Sequence, residues 1–347
     1  MRAVVIEEFG EVPAVREVPD PVARDGCVVV RVTATGLCRS DWHGWAGHDP
    51  DVVLPHVPGH EFAGTVHAVG PGVHGFAPGD RVTAPFVLAC GVCGPCRRGD
   101  QQVCDDQRQP GFTGWGSFAE FVVVERAAVN LVRLPDGVPT AAAAVLGCRF
   151  ATAFRALTQV ARLAAGEWVA VHGCGGVGLS AVLVAVASGA RVVAVDVAPA
   201  ALRLAAALGA TAVVEAAGLS WEVVAAAVRD ATGGGAHVSL DALGSPGTCA
   251  ASIASLRPRG RHVQVGLLPP VLGLPAVPMH LVIAGELAVL GSHGMAAHAY
   301  PELLGLVAAG RLDPTRLVTG TVGLDGTPAA LAAMSSAPPA GVLLVTP

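Results

Sequence analysis

Four cysteines crowd one short loop of this chain: Cys90, Cys93, Cys96 and Cys104, spaced C-x2-C-x2-C-x7-C among Gly91, Gly94 and Pro95. Four thiolates so close together suit a tetrahedral zinc site that leaves no coordination position open, hence a structural one. A Gly/Pro loop offers no apolar core in which small residues would gather by chance. An iron–sulfur cluster is the other thiolate chemistry that the spacing admits. With nine cysteines in a chain expected to be cytoplasmic, clustered thiols read as metal ligands rather than disulfides.

A second constellation can bind phosphate. Gly173, Cys174, Gly175, Gly176, Val177 and Gly178 form a GxGxxG that follows an apolar strand ending at His172 and opens a helical run. Glycines there permit a tight turn and close approach of a pyrophosphate, while the helix N-terminus presents unpaired N–H groups. Asp196 ends the next strand, where a carboxylate accepts hydrogen bonds from ribose hydroxyls and repels a 2′-phosphate. NAD is therefore expected rather than NADP, with Val265 counted among the cofactor-binding residues. The plain alternative is a glycine-rich turn that only joins a strand to a helix.

Absences narrow the chemistry further. All 22 Lys+Arg residues are arginine, so Schiff-base chemistry and a P-loop lysine are excluded. Tyr300 is the sole tyrosine, and without lysine no Tyr/Lys proton donor can be assembled. The net charge of −5 gives no basic face for nucleic acid. No uninterrupted apolar run of about 20 residues exists to span a membrane, and Glu7 and Glu8 interrupt any signal-like opening.

The elements that must position these residues fall into two kinds of text. From Met1 to about Val132, short Val-rich runs alternate with Gly/Pro turns, as at Val28–Val32, Gly64–Val69 and Glu120–Val124, which reads as all-β. Beyond Ala141, Ala-rich helical runs separate strands at Trp168–His172, Arg191–Val195, His237–Leu240 and His262–Val265, the pattern of a doubly wound parallel sheet. After Gly285 the text is mixed, with Pro301–Ala309 helical and Gly341–Val345 a closing strand. The expected organisation is an α/β protein: a β domain over residues 1–150, a dinucleotide-binding domain over 151–285, and a return to the first domain over 286–347.

A third set is scattered: Cys38 in Gly36-Leu-Cys-Arg-Ser-Asp-Trp-His43, His60 and Glu61 in Pro58-Gly-His-Glu61, and Cys148 in Leu146-Gly-Cys-Arg-Phe150. Taken singly, each can be core. Taken with the four-cysteine loop and the late GxGxxG, in this order, the chain resembles the zinc alcohol dehydrogenases of the medium-chain dehydrogenase/reductase superfamily over its whole length. That resemblance implies a GroES-like β domain beside a Rossmann domain. It makes Cys38, His60 and Cys148 the ligands of a catalytic zinc, with Glu61 close behind or transiently ligating. Asp41 then accepts the second N–H of His60, Arg39 resembles a pyrophosphate contact, and Ser40 and His43 resemble the two ends of a proton relay.

Two zinc ions and NAD are thus the expected cofactors, and a small alcohol or carbonyl the expected substrate. The resemblance also suggests a homodimer or homotetramer. Trp45, Phe86, Trp115 and Phe150, with Leu267 and Met279, are candidate apolar walls or simply core. A polyol or vicinal-diol dehydrogenase shares the fold, but relatives of that kind often lack a cysteine at the position of Cys148. A zinc-free quinone reductase would not need these ligands, a nucleic-acid-binding zinc ribbon leaves Asp196 unexplained, and a noncatalytic zinc/NAD-binding protein has no use for Ser40.

Overall fold

The computed structural model describes residues 1–268, 274–336 and 339–347. The chain divides into two compact units, one formed by Met1–Ala151 with Gly294–Pro347, the other by Thr152–His293.

In the first unit, β1 (Arg2–Val5) and β2 (Ala14–Glu17) form an antiparallel ribbon. The main sheet is built on β3 (Val28–Leu37), the longest strand, with β4 (Phe62–Val69), β5 (Arg81–Thr83), β6 (Phe121–Val124) and β7 (Val132–Arg133). The apolar face of these strands meets in a core of Val28, Val30, Val32, Phe62, Val66, Val82 and Leu88. That alternation is what the Val-rich runs require of half-buried strands.

The second unit is a parallel six-stranded sheet among the described residues. Its strands are β8 (Trp168–His172), β9 (Arg191–Asp196), β10 (Ala212–Glu215), β11 (Ala236–Asp241), β12 (Leu256–Gln264) and β13 (Ala288–Gly291). Their order is β10-β9-β8-β11-β12-β13, so the winding reverses beside β8, the position at which doubly wound sheets bind ligands. β13 pairs in parallel with β12 through Gly291, so this sheet continues past residue 285, where the sequence reading ended the domain. The last strands, β14 (Val318–Gly323) and β15 (Val342–Thr346), rejoin the first unit, β15 pairing antiparallel with β3 at Leu343 and Leu37.

Three short α-helices depart from the all-β reading of the opening region. Arg39–Trp45, Gly94–Arg97 and Ala127–Asn130 are seven, four and four residues long, too short to leave a helical period in the sequence.

Candidate metal and dinucleotide sites

β3 delivers Cys38 to its C-terminal end, where the chain turns into the helix Arg39–Trp45 and Cys38 becomes its N-cap. Asp41 in the first turn is 1% exposed and organises the surroundings. Its Oδ2 accepts from the Cys38 backbone N–H at 2.8 Å, and its Oδ1 accepts from Gly59 N at 3.1 Å and from His60 Nδ1 at 2.8 Å. That last bond fixes the His60 tautomer, leaving the Nε2 lone pair to point elsewhere. His60 Nε2 is buried and has no hydrogen-bond partner among the described residues. Burial of this kind is costly unless a ligand completes the site.

What faces that atom is a pair of thiols. Cys38, His60 and Cys148 each bring one ligand atom to within 4.8 Å of the others. Cys148 arrives on the turn Leu146–Phe150, which the buried Tyr300 hydroxyl supports by donating toward the carbonyls of Leu146 and Gly147, both 3.4 Å away. A hydrogen bond from Cys148 pushes the Cys38 thiol well below the usual range, aided by the Arg149 guanidinium, and the same bond holds Cys148 well above it. Burial draws His60 down, but Asp41 and Cys38 outweigh it and leave the ring well above its ordinary value. Phe112 lies against His60 with ring centroids 5.2 Å apart, and Phe86 at 6.3 Å. Two sulfurs, an imidazole nitrogen and apolar walls make a donor set that fits zinc with a position left open.

Glu61 is fully buried, and its oxygens do not join the 4.8 Å grouping. Its carboxylate is held by Arg149, through the backbone N–H at 2.6 Å, Nε at 2.7 Å and Nη2. Ser40 is partly exposed, its Oγ 3.9 Å from Cys38 Sγ. His43 is exposed and its Nδ1 stands 3.0 Å from His48 Nδ1; burial, Arg39 and His48 lower its pKa. The Arg39 guanidinium lies 4.0 Å from the Trp42 ring centroid and donates to the Met334 carbonyl.

The four-cysteine loop closes on itself. Cys90 and Cys96 sulfurs are 3.9 Å apart and those of Cys93 and Cys104 are 3.7 Å apart. An edge of about 3.8 Å is what a tetrahedron of sulfurs about 2.3 Å from zinc demands. Backbone N–H groups of Val92 and Cys93 donate to Cys90 Sγ and bring that thiol to about 6, while Cys90 N and Asp106 N donate to Cys104 Sγ.

In the second unit β8 ends at His172, and Gly173 makes the turn with φ +89°, a conformation natural to glycine. A Cβ on Gly178 would sit 1.8 Å from the Gly173 carbonyl, so only glycine permits this closeness of helix and strand. A Cβ on Gly175 would meet nothing within 4 Å, which leaves open space over the N-terminus of the helix Gly176–Ala187. Gly176 and Val177 form the first turn of that helix. Asp196 ends β9 with Oδ2 accepting from Cys174 N at 2.6 Å and Oδ1 from Ala198 N at 2.8 Å. Val265 follows β12, its N–H donating to the Asp241 carbonyl at 3.0 Å. The cradle fits a dinucleotide pyrophosphate, with a carboxylate at the ribose position.

Of the candidate walls, Phe150 and Trp45 are buried, Trp45 within an apolar cluster, whereas Trp115, Leu267 and Met279 are exposed. Sequence reasoning passed over Arg149 and Phe112. Arg149 had a signal, since a lone charge in the apolar run from Ala141 to Phe154 must find a buried partner.

A β unit with two compact sulfur-bearing ligand groups and a parallel sheet with an open pyrophosphate cradle together define a class, the metal-dependent dehydrogenases that use a dinucleotide. Residues 24–136 match the alcohol dehydrogenase GroES-like domain, and residues 176–309 match the zinc-binding dehydrogenase domain. An alcohol dehydrogenase of Geobacillus stearothermophilus is 37% identical over 277 residues, covering 79% of this chain and 80% of that protein. Among solved structures, the alcohol dehydrogenase TADH from Thermus sp. ATN1 superposes with a TM-score of 0.90 at 35% identity, covering 100% of this chain and 99% of its own. An NAD-dependent alcohol dehydrogenase gives 0.88 at 31%, with 100% of each chain covered. The chain belongs to the zinc-dependent alcohol dehydrogenases of the medium-chain dehydrogenase/reductase superfamily.

Proposed function

We propose that this enzyme interconverts a primary or secondary alcohol and its aldehyde or ketone with NAD(H), using Cys38, His60 and Cys148 to hold a catalytic zinc and Cys90, Cys93, Cys96 and Cys104 to hold a structural one. The observation that carries the reading is the buried, unpartnered His60 Nε2 facing two thiols. When bound, zinc supplies Lewis acidity that brings loss of a hydroxyl proton close to neutral pH. NAD supplies the hydride acceptor.

The chain's own groups do the rest. Asp41 keeps the His60 ring in one tautomer, and the hydrogen bond from Cys148, with Arg149 nearby, favours the ionised form of Cys38. Ser40 stands beside Cys38 as the first hydroxyl to take the proton, and His43, exposed and with its pKa lowered, passes it on to solvent as a neutral base. Gly173, Gly175, Gly176, Val177 and Gly178 cradle the pyrophosphate, with Arg39 as a further cationic contact, while Asp196 and Val265 receive the nucleoside portions. The two N–H groups already held by Asp196 fix its carboxylate before cofactor arrives.

We infer further that the enzyme works in the cytoplasm, which the absence of disulfides among its nine cysteines supports. No helix among the described residues is long and apolar enough to cross a membrane. It works as a homo-oligomer joined at β13. That strand is the edge of its sheet, Val289 on it is 43% exposed, and the neighbouring helix Met279–Gly285 buries none of its residues while exposing Ile283.

Elemental analysis and NADH absorbance on one sample test the reading. Near two zincs per chain with NAD-dependent turnover of small alcohols is the expected result, one for each ligand group. One zinc without turnover would remove the catalytic centre, and none would undo both sites.

A further inference from the structure

The metal-facing residues leave one large buried charge without a role. Arg149 is 5% exposed and directly follows Cys148. Its side chain and backbone together satisfy both oxygens of Glu61: the backbone N–H reaches Oε1 at 2.6 Å, while Nε at 2.7 Å and Nη2 reach Oε2. The remaining guanidinium nitrogen, Nη1, donates at 3.0 Å to the carbonyl of Leu37, the residue before Cys38. One arginine therefore joins all three ligand-bearing segments, the end of β3, the His60-Glu61 segment and the Cys148 turn.

The backbone is shaped around this pair. A Cβ on Gly36 would lie 2.5 Å from Arg149 Nη2 and 2.6 Å from Glu61 Oε2, so glycine alone lets β3 pass this closely. Gly36 N also donates to the Glu61 carbonyl at 2.7 Å. A carboxylate is a ready zinc ligand, and Glu61 is covalently next to His60. To join the metal it would have to abandon three charge-assisted donors and leave a buried guanidinium unpaired, a penalty that buried ion pairs rarely accept.

We propose that Arg149 is a positioning residue of the metal centre: by saturating the Glu61 carboxylate it keeps that side chain out of the ligand set, so the centre retains three protein ligands and an open position. The proposal rests on the assignment of Cys38, His60 and Cys148 as ligands.

Cobalt(II), exchanged into this centre with zinc kept at the four-cysteine loop and no cofactor present, reports coordination number directly. Four-coordinate cobalt absorbs several-fold more strongly in the visible than five-coordinate cobalt does. The wild-type chain and Glu61→Gln are expected to give the same intense spectrum, because Glu61 is not a ligand when Arg149 holds it. Arg149→Met is expected to lose at least half of that intensity as the released carboxylate adds to the metal, and the double variant Arg149→Met/Glu61→Gln to regain it. A changed spectrum in Glu61→Gln overturns the proposal without recourse to the arginine variant, should that one fold poorly. An unchanged Arg149→Met spectrum, or a loss that the double variant does not recover, overturns it as well. Cys148→Ser separates the two levels: if the sulfur-to-cobalt band survives it unaltered, the ligand assignment fails and the role of Arg149 falls with it.

Discussion

At the scale of single residues, Asp41 carries more than its place in a seven-residue helix suggests. One carboxylate fixes the Cys38 backbone, the Gly59 backbone and the His60 ring. Asp41→Ala is expected to weaken zinc at the three-ligand centre by about 10–100-fold, the usual cost of losing such a support. The four-cysteine zinc should be unaffected. Competition with a chromogenic chelator, which resolves the two ions by release rate, checks this; equal loss of both would assign Asp41 to general folding. His43 offers no such leverage, because among the described residues its polar partner is His48 at the surface.

At the scale of elements, the legible features were those with a long periodic or spacing signal. Each of the Trp168–His172, Arg191–Val195 and His262–Val265 runs coincides with a strand or lies largely within one; in β8 and β9 a buried parallel strand is mostly apolar, whereas β12 carries three arginines and only its end was legible. β10, β13 and β14 were not read, because their residues alternate between partial and full exposure and their strands are short. The Arg149–Glu61 pair was illegible for another reason: 88 residues separate the partners, and nothing local encodes which charge meets which. β8 also carries a hidden acid sensitivity. His172 is 1% exposed, Nδ1 has no partner among the described residues, and burial with nearby His262 lowers its pKa to about 3. A histidine depressed below its unfolded value near 6.5 contributes stability that is full above that pH and lost as pH falls toward 3. The loss reaches roughly 4–5 kcal/mol at the acid end. Urea melts of the wild-type chain should fall steeply between pH 6 and 4, and His172→Leu should flatten that slope; parallel slopes would clear His172 of the effect.

For the whole molecule, the open edge at β13 is a liability unless another copy covers it. Val289→Arg places charge on that edge without touching either ligand group. On the proposed joint between copies at β13, sedimentation velocity is expected to show a shift to smaller species, with zinc content preserved. An unshifted distribution would move the interface away from β13.

The order in which the chain leaves the ribosome adds a consequence of the discontinuous first unit. The sheet of the second unit is complete once β13 has emerged, whereas β3 waits for β15, which pairs with it at Leu37, one residue before Cys38. Residues 294–347 must still be translated after the second unit ends, a delay of about 3–11 s at about 5–20 residues per second. Throughout that interval the dinucleotide cradle can fold while the Cys38 thiol at the end of β3 remains outside a finished sheet. The strand that carries Cys38 therefore gains its β15 partner only after the second unit has been made.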